Sequence, residues 1–156
     1  MSVSIGQTIY YLCSTYAPIS AVVGSRIYPN VAPLKNAQTF PYIVYRLIGT
    51  EATNTKGTSG ANAVSTGPSD QKSILDVLDV QISIFDTSMA KIATLSKNVR
   101  NVVDRGVGSG FHVGSSGPII DSIVFDNTTT LYEDDITPEG VWHVVQTYKI
   151  RVINEI

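Results

Sequence analysis

The sequence predicts an α+β protein with a four-stranded, mainly antiparallel sheet and two helices on one face, in the order α-β-β-α-β-β. Two segments carry apolar residues at helical spacing, and four segments are rich in β-branched and aromatic residues or alternate between apolar and polar ones. The strands follow one another in two sequential pairs, which favours antiparallel pairing. Helices packed on one face of such a sheet leave the other face for a partner.

The N-terminal segment predicts the first helix. Ser4 and Gln7 have the spacing of a capping box. An apolar stripe follows at helical spacing, formed by Ile5, Ile9, Leu12, Cys13 and Tyr16. Pro18 predicts a break, after which residues 19–23 form a short turn. Residues 25–41 contain three prolines, which oppose both helix and central strand, and we expect an irregular connector there.

The first pair of strands flanks a long polar segment. Residues 42–48 predict a strand that is apolar on both faces, so we expect one face to cover the core and the other to meet a helix or a neighbouring subunit. Residues 50–73 are mostly Thr, Ser, Gly, Asn and Ala, and they predict a long flexible loop. Residues 74–85 predict the second strand, because apolar side chains alternate with polar ones there.

The second half of the chain predicts a helix and a second pair of strands. The helix begins at about Ser88 after capping candidates, and Arg105 and Gly106 suit its end. One face of this helix carries Met89, Ile92, Leu95, Val99, Val102 and Val103. Residues 119–132 predict the third strand, bent near Asn127. Residues 141–153 predict the fourth strand, whose apolar face is interrupted by Gln146.

Composition indicates a single folded domain over residues 1–156. The chain is 43% hydrophobic with a mean hydropathy of +0.12, and its formal net charge is −2. This charge gives no long-range attraction to nucleic acid. The lone Cys13 cannot form an internal disulfide, and we expect it to be a buried, inert residue. No targeting or membrane-spanning segment is visible.

No catalytic, cofactor or metal motif is present, so the sequence predicts a protein that is not an enzyme. The two histidines, His112 and His143, are interpreted as surface residues, since neither belongs to a zinc-binding pattern. Neither a GxSxG elbow nor a phosphate-binding loop is found, because the glycine-rich residues 106–110 follow a helix and lack the Lys-Ser/Thr ending. The acidic residues of 134–139 are interpreted as a solvated turn.

Short motifs distributed along almost the whole chain resemble the phage tail completion family, the tail terminators of phages with long non-contractile tails. These motifs are Gly24–Pro29 (GSRIYP), Val31–Pro33 (VAP), Phe40–Tyr45 (FPYIVY), Leu131–Glu133 (LYE) and Gly140–Trp142 (GVW). The order and spacing of the motifs carry the resemblance, because each motif alone is short and apolar. The segment 50–73 stands where that family has a variable loop.

The resemblance implies a virion protein that forms a homo-hexameric ring at the head-proximal end of the tail after folding in the host cytoplasm. Such a ring caps the tail tube, stops its growth and offers a surface to the head-tail connector or stopper protein. Genomic DNA would pass through the ring without being read. A closed ring requires heterologous contacts. The predicted assembly interface comprises Arg26, Tyr28, Glu51, Lys56, Asp70 and Lys72. For Arg26 and Tyr28, a structural role is preferred to a binding one, in which they and Pro29 hold the connector against the sheet.

Three alternatives remain open at the level of the sequence. The first is another phage ring component, a head-tail connector or a tail tube subunit, which polymerisation behaviour would distinguish. The second is a small enzyme that uses His143 with carboxylate partners in a concave pocket. The third is a ligand-binding module with a deep apolar pocket.

Overall fold

A computed structural model of the chain describes residues 5–32, 39–53, 75–108, 110–113, 119–133 and 140–153. The elements in chain order are α1 (Ile5–Thr15), α2 (Ala17–Val23), β1 (Ile27–Pro29), β2 (Tyr42–Thr53), β3 (Leu75–Asp86), α3 (Met89–Val103), β4 (Ile119–Glu133) and β5 (Val141–Ile153). The strands form one sheet in the order β1-β2-β3-β5-β4. β1 runs parallel to β2, whereas the other neighbours are antiparallel.

This architecture shows that the predicted four-stranded sheet with two helices was wrong, since the described residues form a five-stranded mixed sheet with three helices. The additional strand, β1, lies within the segment predicted to be an irregular connector. Pro29 is tolerated there because β1 is an edge strand. The additional helix, α2, carries Pro18 in its first turn, where the missing N–H costs nothing. The proline thus separates two helices.

The described helices pack on one face of the sheet. The apolar stripe of α1 is buried against β1 and β2, and α3 lies over β3, β5 and β4. One core joins the helices to the strands and includes Ile9, Ile19, Ile92, Leu95, Ile43, Ile84 and Ile150. Gly6 allows the close approach of α1 to β2, because a Cβ atom at this position would lie 3.0 Å from the Tyr45 ring.

Helix α3 begins where the capping residues predicted it. The hydroxyl of Ser88 accepts a hydrogen bond from the backbone N–H of Lys91 at 3.4 Å. The Asp86 carboxylate accepts a bond from the Thr87 N–H at 2.7 Å. After the last helical residue, Arg105 adopts a positive φ of 54°, and its N–H bonds to the carbonyl of Ile123 at 2.9 Å. This turn directs the chain to the edge of β4.

The strands match the predicted segments closely, with one extension. β2 continues to Thr53, so the first residues of the predicted loop belong to a strand, and residues 54–73 lie outside the described part of the chain. The pairing of β4 with β5 shifts register between Phe125 and Asn127, which confirms the predicted bend. β5 has the predicted bounds.

Gln146, which interrupts the apolar face of β5, is part of a buried hydrogen-bonded group. Its amide nitrogen donates to the Ser96 carbonyl of α3 at 2.9 Å, and its amide oxygen accepts from the Tyr148 hydroxyl at 2.7 Å. A buried polar group costs free energy unless it is satisfied in this way. The hydrogen bond between Gln146 and Ser96 therefore links α3 to β5, an interior strand of the sheet.

Cys13 is fully buried, as the sequence predicted, and burial raises the pKa of its thiol to about 12. Because the thiolate is the reactive form, we expect the folded protein to resist thiol-directed alkylation at pH 8. The same reagent should label Cys13 rapidly once denaturant unfolds the chain. Mass spectrometry of iodoacetamide-treated protein would measure this, and rapid labelling under native conditions would contradict the burial of Cys13.

Candidate assembly surface

The face of the sheet opposite the helices carries the candidate functional site, and we call it the open face. No described residue forms a helix on this side. The pairing registers place the following side chains on it: Tyr42, Val44, Arg46, Gln81, Ser83, Phe85, His143, Val145, Thr147, Lys149 and Leu131. They alternate with the residues that face the helices, which is the pattern of strands with two different environments.

An aromatic ladder crosses one end of the open face. Cross-strand pairing places Tyr42 beside Phe85, and Phe85 beside His143. The Tyr42 and Phe85 rings stack with centroids 4.7 Å apart, and the Phe85 and His143 rings stack at 4.0 Å. Phe40 extends the row, since its ring lies 5.5 Å from that of Tyr42. Tyr42 is buried, with 6% of its surface exposed, whereas Phe85 and His143 are partly buried. Aromatic rings that keep some exposed area are typical of contact surfaces between proteins.

A shallow concavity of about 280 Å³ lies beside the ladder. Its lining includes Tyr42, Phe85 and His143, together with Val31, which is 70% exposed. Three polar residues of the lining form a row, in which Arg46 donates to the Gln81 amide oxygen at 3.0 Å and Gln81 donates to the Ser83 hydroxyl at 3.0 Å. The concavity is thus lined by both aromatic rings and hydrogen-bonding side chains.

The other end of the open face is charged. Lys149 and Asp79 are cross-strand partners, and the ammonium nitrogen donates to the carboxylate at 3.1 Å. This hydrogen bond raises the pKa of Lys149, and the carboxylates of Asp79, Asp126 and Glu51 raise it further. The open face therefore changes from aromatic to charged along the direction of its strands.

His143 is not the surface residue that the sequence suggested, because its side chain is only 14% exposed. The ring is held in the ladder, and neither imidazole nitrogen has a hydrogen-bond partner. Its Nδ1 atom lies 3.9 Å from a carboxylate oxygen of Glu133. Burial lowers the pKa of His143 and the positive Arg46 adds to this, outweighing the opposite effect of Glu133. The imidazole is therefore neutral at pH 7.

The lowered pKa of His143 makes the stability of the fold dependent on pH. Since the folded state disfavours protonation, this contribution is complete above the unfolded pKa of about 6.5 and is lost as the pH falls below it. We expect the melting temperature to fall between pH 7.5 and 5.5, and to fall less in the His143→Gln variant. Equal slopes in the wild type and the His143→Gln variant would contradict this account.

Arg26 and Tyr28, the two predicted interface residues in the connector, lie in or beside β1. The guanidinium of Arg26 donates to the carbonyls of Pro41 and Val22, both at 2.9 Å, and thereby ties the end of α2 to the start of β2. Tyr28 lies on the open face, with its ring 6.4 Å from that of Tyr42. Arg26 is thus engaged inside the subunit, whereas Tyr28 extends the aromatic ladder.

The remaining predicted interface residues fall in or near the long polar segment. Glu51 is an exposed residue of β2 and lies on the open face, opposite Val77 of β3. Lys56, Asp70 and Lys72 lie outside the described residues. The structure therefore brings Tyr28 and Glu51 to one face of the sheet, at different ends.

Sequence reasoning missed the ladder residues Tyr42, Phe85 and His143. A signal was available, because residues 42–48 are apolar on both faces and one face was expected to meet a partner. The sequence does not show the strand register that aligns the three residues. Phe85 follows Tyr42 by 43 positions (85 − 42), and His143 follows Phe85 by 58 (143 − 85), so local patterns do not reveal that they are neighbours.

Metal binding and nucleophilic catalysis each require a particular grouping of side chains. In this part of the chain, His, Cys, Asp and Glu residues do not come together in groups of three that could hold a metal ion. The imidazole of His143 makes no hydrogen bond to Ser83, which lines the same concavity, so no nucleophile–base pair is formed. None of the described helices has the length and hydropathy that a membrane span requires.

Comparison with known proteins gives a match in structure alone. The sequence matches no protein-family model, and no curated protein sequence is similar to it. Among solved structures, the fold is similar to a chain of a particle described as the virion of a native gene transfer agent. The TM-score is 0.64 at 15% sequence identity, and the match covers 96% of this chain and 95% of that chain. The chain therefore shares the fold of that protein over nearly its whole length.

Proposed function

We propose that this chain is a structural virion protein of a phage or phage-like particle, and that it acts as a tail terminator. It forms a ring that caps the tail tube, stops its growth and provides the surface for joining the head. The observation that carries the proposal is the match of fold, over 96% of the chain, to a chain of a gene transfer agent virion. The sequence motifs that resemble the tail completion family support the finer assignment.

The geometry of the open face supports an assembly role. Its ladder and shallow concavity suit contact with a protein surface, whereas small-molecule sites are usually deep enough to enclose most of the ligand. We assign the open face to the contact with a neighbouring virion protein, the tail tube or the head-side connector. The partners of the chain are then other copies of itself and these two proteins, and DNA passes through the ring.

Negative-stain electron microscopy of the purified chain, alone and mixed with tail tubes of the same virion, tests the proposal. We expect closed rings, with or without tubes, and a single ring at one end of each tube. Long tubes formed by the chain alone would instead identify a tail tube subunit. Binding to head connectors without binding to tubes would identify a connector component.

A further inference from the structure

A groove of about 340 Å³ lies between α3 and the second half of β4, on the face of the sheet that carries the helices, and we call it the α3 groove. Its lining includes apolar side chains from α3, β4 and β5, namely Ile92, Phe125 and Val144. Thr128 and Thr130 also line it, and both are exposed residues of the edge strand β4. The described part of the chain therefore leaves this groove open.

The charged residues in the lining of the α3 groove are two cations, Lys97 and Arg100, and both are exposed. The guanidinium carbon of Arg100 lies 3.7 Å from the centre of the Phe125 ring, a cation–π contact that holds this side chain in the groove. One oxygen of the Asp104 carboxylate lies 3.9 Å from Arg100, and the other accepts the Phe125 N–H at 2.9 Å. Among the described residues, Lys97 forms no salt bridge. The groove is thus an apolar cleft with a net positive charge.

This combination fits a partner that brings carboxylates next to an apolar side chain. A neutral surface would desolvate Lys97 without supplying an opposite charge, which is unfavourable. DNA would match the two cations but would place charged phosphates against Ile92, Phe125 and Val144. An acidic protein segment with an apolar residue satisfies both parts of the groove.

The chain itself contains a segment of this composition, and we call residues 133–139 the acidic segment. Its sequence, EDDITPE, has four carboxylates and one large apolar residue, Ile136, and it contains neither Lys nor Arg. Outside this segment, a stretch of seven residues holds at most two carboxylates, so within the chain it is the best match to the α3 groove. Glu133 ends β4, and residues 134–139 lie outside the described part of the chain.

The length of the acidic segment determines which copy can supply it. Arg100 lies over Phe125, which precedes Glu133 by eight positions on β4, roughly 25 Å along the strand. The six residues 134–139 must leave β4 and return to Gly140, so they extend by at most about three residues, roughly 10 Å. An acidic segment that meets Arg100 must therefore come from another copy.

We infer that the α3 groove of one copy binds the acidic segment of a neighbouring copy, with carboxylates beside Lys97 and Arg100 and with Ile136 against the apolar lining. The inference rests on the proposed function and names a contact within the proposed ring. The two surfaces are different, so the contact is heterologous, which is the type that a closed ring requires. Opposite charges on the two sides also fix the orientation in which the copies associate.

Reversing the charge on each side of the contact, and then mixing the variants, tests this inference. The groove variant carries Lys97→Glu and Arg100→Glu, and the segment variant carries Asp134→Lys and Asp135→Lys. We expect each variant alone to self-associate at least about tenfold more weakly than the wild type, because like charges then face each other. An equimolar mixture should recover association, since each groove meets a segment of opposite charge in the other variant. Sedimentation velocity over a concentration series measures association.

A single substitution on the other flank of α3 supplies the matched control. Lys91 is exposed and does not line the groove, so Lys91→Glu should leave self-association unchanged. Circular dichroism checks that each variant is folded. If the groove variant does not fold, Lys97→Glu alone keeps the contact of Arg100 with Phe125 and should show a smaller loss that the segment variant restores. A loss that mixing does not restore would show that the cations stabilise the subunit, and the inference would be wrong.

Disulfide cross-linking identifies the two surfaces directly. Thr128→Cys lies in the lining of the groove and Thr137→Cys in the acidic segment, and neither substitution changes a charge. The native Cys13 is fully buried and does not take part. We expect the chain with both substitutions to give a ladder of linked oligomers, whereas either substitution alone should give monomers. Monomers with an internal disulfide would show that a copy binds its own acidic segment, which would overturn the inference.

Failure of this inference can be distinguished from failure of the proposed function. A wild-type chain that stays monomeric throughout the concentration series would overturn the inference, yet would leave the proposed function standing, because capping is tested separately on tail tubes. A groove variant that self-associates normally but loses binding to duplex DNA, measured by electrophoretic mobility shift, would instead assign the groove to nucleic acid.

Discussion

Replacing Tyr148 with alanine is expected to lower the free energy of unfolding by about 3–5 kcal/mol, the range for large aromatic residues removed from a core. Tyr148 is fully buried in β5, an interior strand between β3 and β4, and the substitution also removes the hydroxyl that donates to Gln146. For a chain of this length the melting temperature should fall by roughly 6–20 °C. Thermal and urea unfolding would measure the change.

The Tyr148→Phe variant distinguishes the destabilisation caused by the cavity from that caused by the lost hydrogen bond. Tyr148→Phe keeps the ring and removes the hydroxyl alone, so we expect a loss of about 1–2 kcal/mol. Gln146→Leu should cost a similar amount, because it leaves the Tyr148 hydroxyl without an acceptor. The double variant should lose less than the sum of the two, since both polar groups are then gone. If Tyr148→Ala lowers the free energy of unfolding by less than about 1 kcal/mol, the result would contradict the burial of this side chain in the core.

Replacing Phe85 with glutamate is expected to prevent the open face from binding the neighbouring virion protein proposed above. We expect the capping of tail tubes to fall at least about tenfold. Phe85 occupies the middle of the aromatic ladder, between Tyr42 and His143. A carboxylate there would be desolvated in any contact made through the ladder, which costs several kcal/mol. The fraction of tubes that carry a terminal ring, counted by electron microscopy, measures the effect.

The matched control places the same charge on the side of the sheet that carries the helices. Asn101 is an exposed residue of α3. Asn101→Glu should cap tubes nearly as well as the wild type. If both variants remain folded and both cap normally, the ladder does not contact the partner and the open face has another role.

Local patterns in the sequence predicted most individual elements. β5 has the predicted bounds because its alternation is regular, and α3 begins at Met89, directly after its N-cap Ser88, because capping residues act within one turn. β1 was missed because it is three residues long and ends in a proline. Such a strand is stable only beside β2, to which it pairs from 16 positions away in the numbering (43 − 27).

The candidate surface was harder to predict than the elements that form it. Each strand indicated its own two faces, but the alignment of Tyr42, Phe85 and His143 depends on registers set by the whole sheet. His143 was interpreted as a surface residue because its neighbours on β5 are polar, whereas stacking on Phe85 from another strand covers it.

The growth of tail tubes in the presence of this chain tests the central claim most directly. Tubes would be assembled from the tail tube protein of the same virion, with the chain added at several concentrations, and their lengths measured by electron microscopy. The account predicts that growth stops at one end, that mean length falls as the chain is added, and that each arrested end carries a single ring. Tubes that continue to grow with the chain incorporated along their length would contradict it.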